Sequence, residues 1–273
     1  DVTGVRVGVS EHYGSYYMGA FLSDLRVVKG SNVYSNASTL TLPTTPLTAV
    51  TNTKLLLNFT NAAIIDQTGK TNIKTVGNAR LNTSVKKFGT ASVEFDGTDD
   101  YIEVPPSTSI FNVISPQRGS WTYECFIYPK TVVDAGGYGC IFDTRTNNPD
   151  SDGVSLFYVG TASQKRLECY GPAAGGYYFS TANNSITLDQ WQHVALVFDL
   201  DATNYPITCY VNGTSVGSST TNTWYTRDSG RLIIGAQQAG YNEFTGFIDE
   251  FRVTNKARYT SNFTAPTKEF FNL

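Results

Sequence analysis

The sequence predicts an all-β protein, an antiparallel β-sandwich of the jelly-roll type. The first observation is a succession of short runs of β-branched and aromatic residues, separated by Gly, Asn, Asp and Pro. Such runs are typical of strands joined by tight turns. The second observation is that no long window carries apolar residues at the i, i+3, i+4 and i+7 spacing of a helix. Many short strands with regular turn signals favour a sandwich or jelly roll.

The predicted strands follow one another along most of the chain. They are LLLNFT, ASVEFDG, YIEVP, WTYECFIYP, VSLFYVG, RLECYG, YYFST, HVALVFD, ITCYVNG and RLIIG. Two hairpin tips can be placed, at Asp96-Gly97 and at Asn212-Gly213, because these residue pairs accept the positive φ angles of tight turns.

The chain also contains a second version of its own closing segment. AFLSDLRVV near the start resembles GFIDEFRV near the end, with matched residues a constant 226 positions apart (247 − 21). The matches are Phe21 with Phe247, Asp24 with Glu250, Arg26 with Arg252, and Val27 with Val253. A recurring segment of this kind indicates tandem copies of one domain. We expect residues 1–35 to be the C-terminal remnant of a preceding domain, residues 36–53 a Thr- and Pro-rich linker, and residues 54–273 one complete domain.

The composition argues against several classes of protein. The net charge of −3 and the lack of a basic cluster argue against a nucleic-acid partner. No apolar run approaches the roughly 20 residues of a membrane-spanning helix. The single methionine is Met18, so we expect the chain to be a processed product or an excerpt of something longer. Charged residues make up only 16%, against roughly a quarter in an average soluble protein, which suits an extracellular or virion protein.

The cysteines are predicted to be buried thiols. Cys125, Cys169 and Cys209 lie in strand-like runs, where a free cysteine behaves as a small apolar residue. With Cys140 the set could pair in three ways, so disulfides stay an alternative, and the spacing fits no common zinc motif.

The ordered set FGTASVEFDGTDDYIEV, GSWTYECFIYP, QWQHVALVFD, CYVNGTSVG, LIIG and GFIDEFRV resembles the laminin-G-like branch of the concanavalin A-like lectin and glucanase superfamily. The resemblance runs from Lys54 to about Pro266. It implies two antiparallel sheets in a jelly roll, with the first strand, TKLLLNF, beside the last, FIDEFRV. The strand FLSDLRVV would then lack a partner in this chain, and we expect residues 1–35 to complete their sheet with another polypeptide or to dock on the complete domain.

A narrower resemblance concerns RVVKGSNVYSN, PTTPLTAVTNTKLLLNFTNAAIIDQTGK and SVKKFGTASVEFDGTDDY. These segments are similar to tandem repeats of large structural, tail-associated proteins of marine bacteriophages. The resemblance implies a virion protein; a bacterial cell-surface or secreted protein is the alternative. The implied partners are a glycan or host-surface polysaccharide and neighbouring copies of the same or another virion protein, in a homo-oligomer.

Some relatives with this fold hydrolyse polysaccharides with paired carboxylates on one face of a sheet. The strand WTYECFIYP offers only Glu124, which alternation places on the face of Phe126, opposite that of Cys125. A lone Glu there is more typical of a surface or hydrogen-bonded group. The two histidines, His12 and His193, offer little for a triad or a zinc site. The sequence therefore favours a non-enzymatic protein over a polysaccharide hydrolase.

The resemblance also implies a structural calcium ion (Ca²⁺), because relatives often hold one near the rim with Asp carboxylates and carbonyl oxygens. Asp249 is the first candidate ligand, with Asp96, Asp99 and Asp100 as rim alternatives. The competing interpretation is that Asp96 caps its own turn and Asp249 accepts backbone amides.

Two loops carry aromatic and polar groups suited to stacking on sugar rings. ECYGPAAGGYYF places Tyr170, Tyr177 and Tyr178 around a Gly-rich tip. TNTWYTRDSG carries Trp224, Tyr225, Arg227 and Asp228. The sequence thus predicts a carbohydrate-binding or adhesion module of a modular tail, fibre or surface protein. The alternative is a purely structural subunit whose aromatic residues pack against neighbouring subunits.

An arginine two residues after an acidic residue occurs in both copies, as Asp24 with Arg26 and as Glu250 with Arg252. This repetition suggests an ion pair or a clamp on a neighbouring strand. Because the pair recurs with the copies, we expect an architectural role.

Overall fold

The computed structural model describes most of the chain beyond residue 72 and parts of the chain before it. The described residues are 9–10, 16–17, 19, 24–34, 42–45, 47–48, 50–57, 64, 72–105, 119–130, 137–145, 153–161, 163–171, 176–220, 231–237 and 240–270. They form strands, turns and bends, and no helix that could cross a membrane occurs among them. The chain divides into two compact units, Asp1–Ala62 and Ala63–Leu273.

The smaller unit contains two short antiparallel ladders. Strand β1 (Val9–Ser10) pairs with β2 (Tyr16–Tyr17), and β3 (Leu25–Val28) pairs with β4 (Thr53–Leu57). The β3–β4 pairing differs from the prediction, which placed β4 beside the closing strand of the larger unit and left β3 without a partner. β3 has a partner within this chain, and that partner is the predicted opening strand.

The larger unit contains two seven-stranded antiparallel sheets. In spatial order, sheet I consists of β13 (Tyr177–Ser180), β12 (Lys165–Tyr170), β11 (Ser155–Gly160), β10 (Tyr138–Asp143), β17 (Leu232–Ile234), β8 (Tyr101–Val104) and β5 (Lys74–Val76). Sheet II consists of β16 (Thr214–Thr220), β15 (Pro206–Val211), β14 (Gln192–Phe198), β9 (Trp121–Pro129), β18 (Thr245–Thr254), β7 (Ser92–Asp96) and β6 (Arg80–Asn82). The predicted all-β sandwich of the jelly-roll type is confirmed.

One hydrophobic core lies between the sheets. Tyr123 of sheet II stacks on Phe142 of sheet I with ring centroids 4.4 Å apart. Trp121, fully buried, stacks on Phe198 at 3.7 Å. The alternation predicted for β9 is confirmed, because Cys125 belongs to this core while Phe126, which is also buried, does not. Period-two strands with one apolar face therefore account for the core.

The outer face of sheet II is covered by residues 255–270, which we call the strap. Tyr259 and Phe263 of the strap stack with ring centroids 3.5 Å apart and pack on Ala195 and Val197 of β14. The Phe263 N–H donates to the carbonyl of Gly213 at 2.9 Å. Both faces of sheet II are thus buried along the middle strands, which explains their continuous apolar character.

The two predicted hairpin tips have different outcomes. Asn212-Gly213 does join paired strands, β15 and β16, with φ values of 49° and 81°. Asp96-Gly97 does not, because β7 belongs to sheet II and β8 to sheet I. The Asp100 carboxylate holds this crossing turn by accepting the N–H groups of Asn78 at 2.7 Å and Asp96 at 3.0 Å.

The predicted buried thiols are confirmed, since Cys125, Cys140, Cys169 and Cys209 are all free and buried. Burial raises the pKa of each thiol, that of Cys209 to about 12. The thiolate form is therefore strongly disfavoured in the native state.

The turn at Gly213 yields a stability prediction. A Cβ at Gly213 would lie 1.9 Å from the Phe263 carbonyl oxygen, at a φ of +81°. Gly213→Ala should therefore lower the free energy of unfolding by about 3–5 kcal/mol, from backbone strain plus a clash with the strap. Gly240→Ala is the control, because its φ of +108° is at least as unfavourable while only the Glu243 carboxylate lies within 4.0 Å. Urea unfolding measures both variants, and equal losses would rule out the clash with the strap.

Candidate functional site

The outer face of sheet I carries a group of aromatic and charged side chains. Along β11 and β12, Tyr158 and Leu167 oppose each other and point into the core. The next pair, Phe157 and Glu168, must point outward, because successive side chains of a strand alternate between faces. The outward side chains of β10 to β13 therefore form one surface.

Four rings on four adjacent strands form a line across this surface, which we call the aromatic row: Tyr138, Phe157, Tyr170 and Tyr177. Their centroids are 6.1, 5.3 and 5.2 Å apart in that order, with near-perpendicular planes. Phe157 is buried, Tyr138 and Tyr170 are partly exposed, and Tyr177 is 38% exposed. Edge-to-face contacts of this kind stabilise a ring cluster and fix its geometry.

Glu168 and Arg166 of β12 lie beside the aromatic row. The Arg166 guanidinium donates from Nε and Nη2 to Glu168 Oε1, at 2.9 and 2.6 Å. The Tyr170 hydroxyl donates to Glu168 Oε2 at 2.7 Å. Burial, together with the hydrogen bond to Glu168, raises the pKa of Tyr170 far above its ordinary value. The phenol thus stays protonated and remains a donor.

A second ion pair lies at the other side of the row. Arg145 Nε donates to Asp143 Oδ1 at 2.9 Å, and both side chains are buried. The guanidinium lies 5.5 Å from the Phe157 centroid and 5.9 Å from that of Tyr170, within the range of cation–π attraction. Each arginine beside the row is therefore matched by a carboxylate.

The predicted ligand-binding residues have different places in the structure. Tyr170 and Tyr177 come together in the aromatic row, whereas Tyr178 points into the core. Trp224, Tyr225, Arg227 and Asp228 lie outside the described residues. Sequence reasoning missed Tyr138, Phe157, Arg145, Arg166 and Glu168. The alternating patterns SLFYVG and KRLECY carried the signal for two of these strands, once the strands are known to be adjacent.

Glu124, the residue considered for hydrolysis, forms a buried polar cluster beneath the strap. Its Oε1 accepts hydrogen bonds from Arg252 Nε at 3.0 Å and Nη2 at 2.8 Å. Arg258 Nε lies 3.0 Å from the same oxygen, an ion-pair contact without hydrogen-bond geometry. Oε2 contacts His193 Nε2 at 3.2 Å and accepts from the Tyr259 hydroxyl at 2.8 Å. Glu124 is thus hydrogen-bonded, as expected, but it is not a surface group.

The predicted role of Arg252 as a clamp on a neighbouring strand is confirmed, because its partner Glu124 lies on β9. Glu250 has a different partner and accepts the N–H of Phe270 in the strap. In the smaller unit Arg26 Nη1 donates to the Thr48 carbonyl at 2.7 Å.

The carboxylates considered for calcium hold the backbone. Asp249 Oδ2 accepts the N–H groups of Lys87 and Phe88, and Asp96 Oδ1 accepts that of Thr98, as the competing interpretation had it. Asp99 sits in the same turn with a φ of 56°. No three His, Cys, Asp or Glu side chains form a possible metal site within the described parts of the chain. The calcium ion therefore stays a prediction from the sequence.

The cluster around Glu124 yields a pH prediction. Burial alone raises the pKa of Glu124, but the His193 hydrogen bond, the Arg252 charge and the Tyr259 hydrogen bond outweigh it and hold the pKa below its usual 4.5. The stability from this carboxylate is therefore present above about pH 4.5 and is lost as the pH falls through the lower, folded-state pKa.

Glu124→Gln should lower the free energy of unfolding by about 3–5 kcal/mol at pH 7, because it removes a buried charge from two partly buried arginines, Arg252 and Arg258. The difference in the free energy of unfolding between this variant and the parent protein should narrow below pH 4.5. Glu103→Gln, which breaks an exposed pair with Lys74, should cost about 0–1 kcal/mol. Chemical denaturation at pH 7 and pH 3 measures both, and a gap that stays constant with pH would contradict the assignment.

Comparison with known proteins is consistent with this architecture. A family model, Laminin_G_3, described as the Concanavalin A-like lectin/glucanases superfamily, matches residues 96–261. Among proteins with curated functions, none matches the chain.

Several solved structures are similar to this chain. Domain 4 of AbnA, an extracellular GH43 arabinanase from Geobacillus stearothermophilus in complex with arabinotriose, is 18% identical over 70% of this chain and 86% of that one, with a TM-score of 0.49. The botulinum neurotoxin serotype G binding domain is 13% identical over 71% of this chain, with a TM-score of 0.52. A structure from work on botulinum neurotoxin type C and two ganglioside molecules is 15% identical over 71% of this chain, also with a TM-score of 0.52. This chain spans about half, 46%, of each neurotoxin chain.

At these identities the likeness to solved structures is one of fold. The family model covers more than half of the chain and agrees with the two antiparallel sheets. The chain therefore belongs to the Laminin_G_3 family, within the concanavalin A-like lectin and glucanase superfamily.

Proposed function

We propose that this protein is a non-enzymatic carbohydrate-binding or adhesion module and that the aromatic row is its binding surface. The observation that carries the proposal is the line of Tyr138, Phe157, Tyr170 and Tyr177 across four adjacent strands. Tyrosine rings offer an apolar face for a sugar ring and a hydroxyl for hydrogen bonds. Because the row stands on a hydrogen-bonded sheet, it is ordered before any ligand arrives, which lowers the entropic cost of binding.

The charges beside the row favour a neutral saccharide. Arg166 is paired with Glu168, and Arg145 with Asp143, so the two pairs add no net charge to the surface. An acidic sugar would need a cation that is not already matched. Of these four side chains, only Arg166 is partly exposed, at 21%, so its guanidinium is the group that can donate to sugar hydroxyls at the edge of the row.

A binding role accounts for the carboxylates better than hydrolysis does. A glycosidase needs one carboxyl group that protonates the leaving group and a second that acts as base or nucleophile. Glu168 and Asp143 are each held by an arginine, and both oxygens of Glu124 are engaged beneath the strap. The work on neurotoxin type C concerns two ganglioside molecules, so a protein of this fold has been studied with glycolipids.

We extend the proposal to the setting of the module. The resemblance of several segments to tandem repeats of phage structural proteins, together with the repeated segment at Phe21 and Phe247, supports a modular tail or fibre protein of a virion. A surface of aromatic rings could also pack against neighbouring subunits. The same row would then serve assembly in place of host attachment.

The aromatic row yields a binding prediction. Tyr177→Ala and Tyr170→Ala should each weaken binding to neutral glycans about tenfold, which corresponds to losing about 1.4 kcal/mol of ring contact. Tyr170→Phe should keep most of the affinity, since the ring remains while the Glu168 hydrogen bond is lost. Tyr241→Ala is the control, because this ring is 70% exposed and lies outside the row.

Glycan arrays followed by calorimetry measure these affinities. If Tyr241→Ala weakens glycan binding as much as Tyr177→Ala does, the assignment of the binding site to the row is refuted. An array without hits, combined with self-association that Tyr177→Ala abolishes in sedimentation, would favour the assembly role.

A further inference from the structure

The closing strand β18 has one edge that is only partly used. On one side it pairs with β9 as far as Thr254. On the other side it pairs with β7 only from Thr245 to Ile248. Beyond that point, no strand pairs with this second side of β18, and no backbone hydrogen bond of Phe251 or Val253 on that side occurs among the residues that the structure describes. Within the described residues, the last four residues of β18, Phe251–Thr254, thus have one edge without a paired strand.

The backbone groups that face this edge can be identified. The Thr245 carbonyl accepts the N–H of Lys130, just after β9, so Thr245, Phe247 and Asp249 face β9 by alternation. The register shift between Asp249 and Arg252 adds one residue to β18. After it, Arg252 and Thr254 face β9 while Phe251 and Val253 face the open edge.

Strand β3 is the counterpart of β18 in structure as well as in sequence. Asp24 and Glu250, matched in the sequence, both have positive φ, 50° and 54°. Asp24 accepts the N–H of Leu47, and Glu250 accepts that of Phe270. The Leu47 amide lies four residues after Pro43, and the Phe270 amide lies four residues after Pro266. The two copies therefore share a backbone conformation and a long-range hydrogen bond.

In the first copy, the corresponding edge is occupied. The Lys29 N–H donates to the Asn52 carbonyl, so Lys29, Val27 and Leu25 face β4 by alternation. Their counterparts, at the spacing of 226 positions (247 − 21), are Asn255, Val253 and Phe251. Two of these face the open edge of β18. The corresponding sides of these two related strands are thus paired in β3 and, within the described residues, unpaired in β18.

We propose that the open edge of β18, at Phe251–Thr254, binds a strand of the Thr53–Leu57 type, which a second copy of this sequence supplies by exchanging its own β3 for β18. The pairs Leu25–Leu57 and Val27–Leu55 of the first copy transfer to Phe251–Leu57 and Val253–Leu55. Phe251 and Val253 are half-buried against the core, so apolar partners beside them would extend it. Such a contact joins two different surfaces, and repeating it produces a filament or string of domains.

A strand-addition experiment tests this proposal on the full chain. The probe is a synthetic peptide with the sequence of residues 50–60, VTNTKLLLNFT, and its control is the same peptide with Leu55→Pro. At a saturating concentration, the first peptide should slow amide exchange at Phe251 and Val253 at least tenfold, because both N–H groups gain acceptors. The proline peptide should have no such effect, since it lacks the amide at the centre of the ladder. Equal effects of the two peptides, or none from either, would overturn the proposal.

A crosslinking experiment tests the register independently. Chains with Val253→Cys are mixed with chains carrying Leu55→Cys and oxidised, and a disulfide-linked pair of chains is expected. Ser261→Cys, at an exposed position of the strap, replaces Val253→Cys in the control. The native thiols are buried and should contribute little. A yield no higher than the control would count against the strand exchange, whatever the glycan measurements show, because the aromatic row takes no part in this edge.

Discussion

A single buried carboxylate links the middle strands of sheet II to one another and to the strap that covers them. Glu124 lies on the central strand β9 and binds Arg252 of the closing strand, His193 of β14, and Arg258 and Tyr259 of the strap. A charge without solvent is tolerated only when several donors surround it. The donors come from segments more than 60 residues away in the sequence, so the cluster forms only when the whole sheet and its cover are in place. It therefore makes the closing of the fold cooperative.

The cover over sheet II leaves the two outer faces of the sandwich with different roles. The strap fills one face with stacked rings. The other carries the aromatic row with its own pairs of charges. The row and the cluster at Glu124 share no residue, yet both depend on strands that alternate between core and outer residues. The stacked rings of the strap and the aromatic row thus lie on opposite outer faces of the sandwich.

Local sequence patterns predicted the strands, the faces of β9, the buried thiols and the reach of Arg252 to a neighbouring strand. They could not decide to which sheet a strand belongs. The turn after Asp96 has the residues of a hairpin tip, yet the strands on its two sides belong to different sheets. The Asp100 carboxylate holds this crossing by accepting the N–H of Asn78, which is 22 residues away in the sequence. Only two of the four residues of the aromatic row were predicted from the sequence, for a related reason. Tyr170 and Tyr177 are close in the sequence, whereas Tyr138 and Phe157 join them only through strand order.

The four buried thiols also bear on where such a protein can be made and used. Its stability depends on packing, hydrogen bonds and ion pairs and on no covalent crosslink among the cysteines. Because the thiolate is the reactive form and burial suppresses it, oxidants and thiol–disulfide exchange have little access to these sulfurs. The fold can thus be completed in a reducing compartment and kept unchanged in an oxidising one, without a redox maturation step.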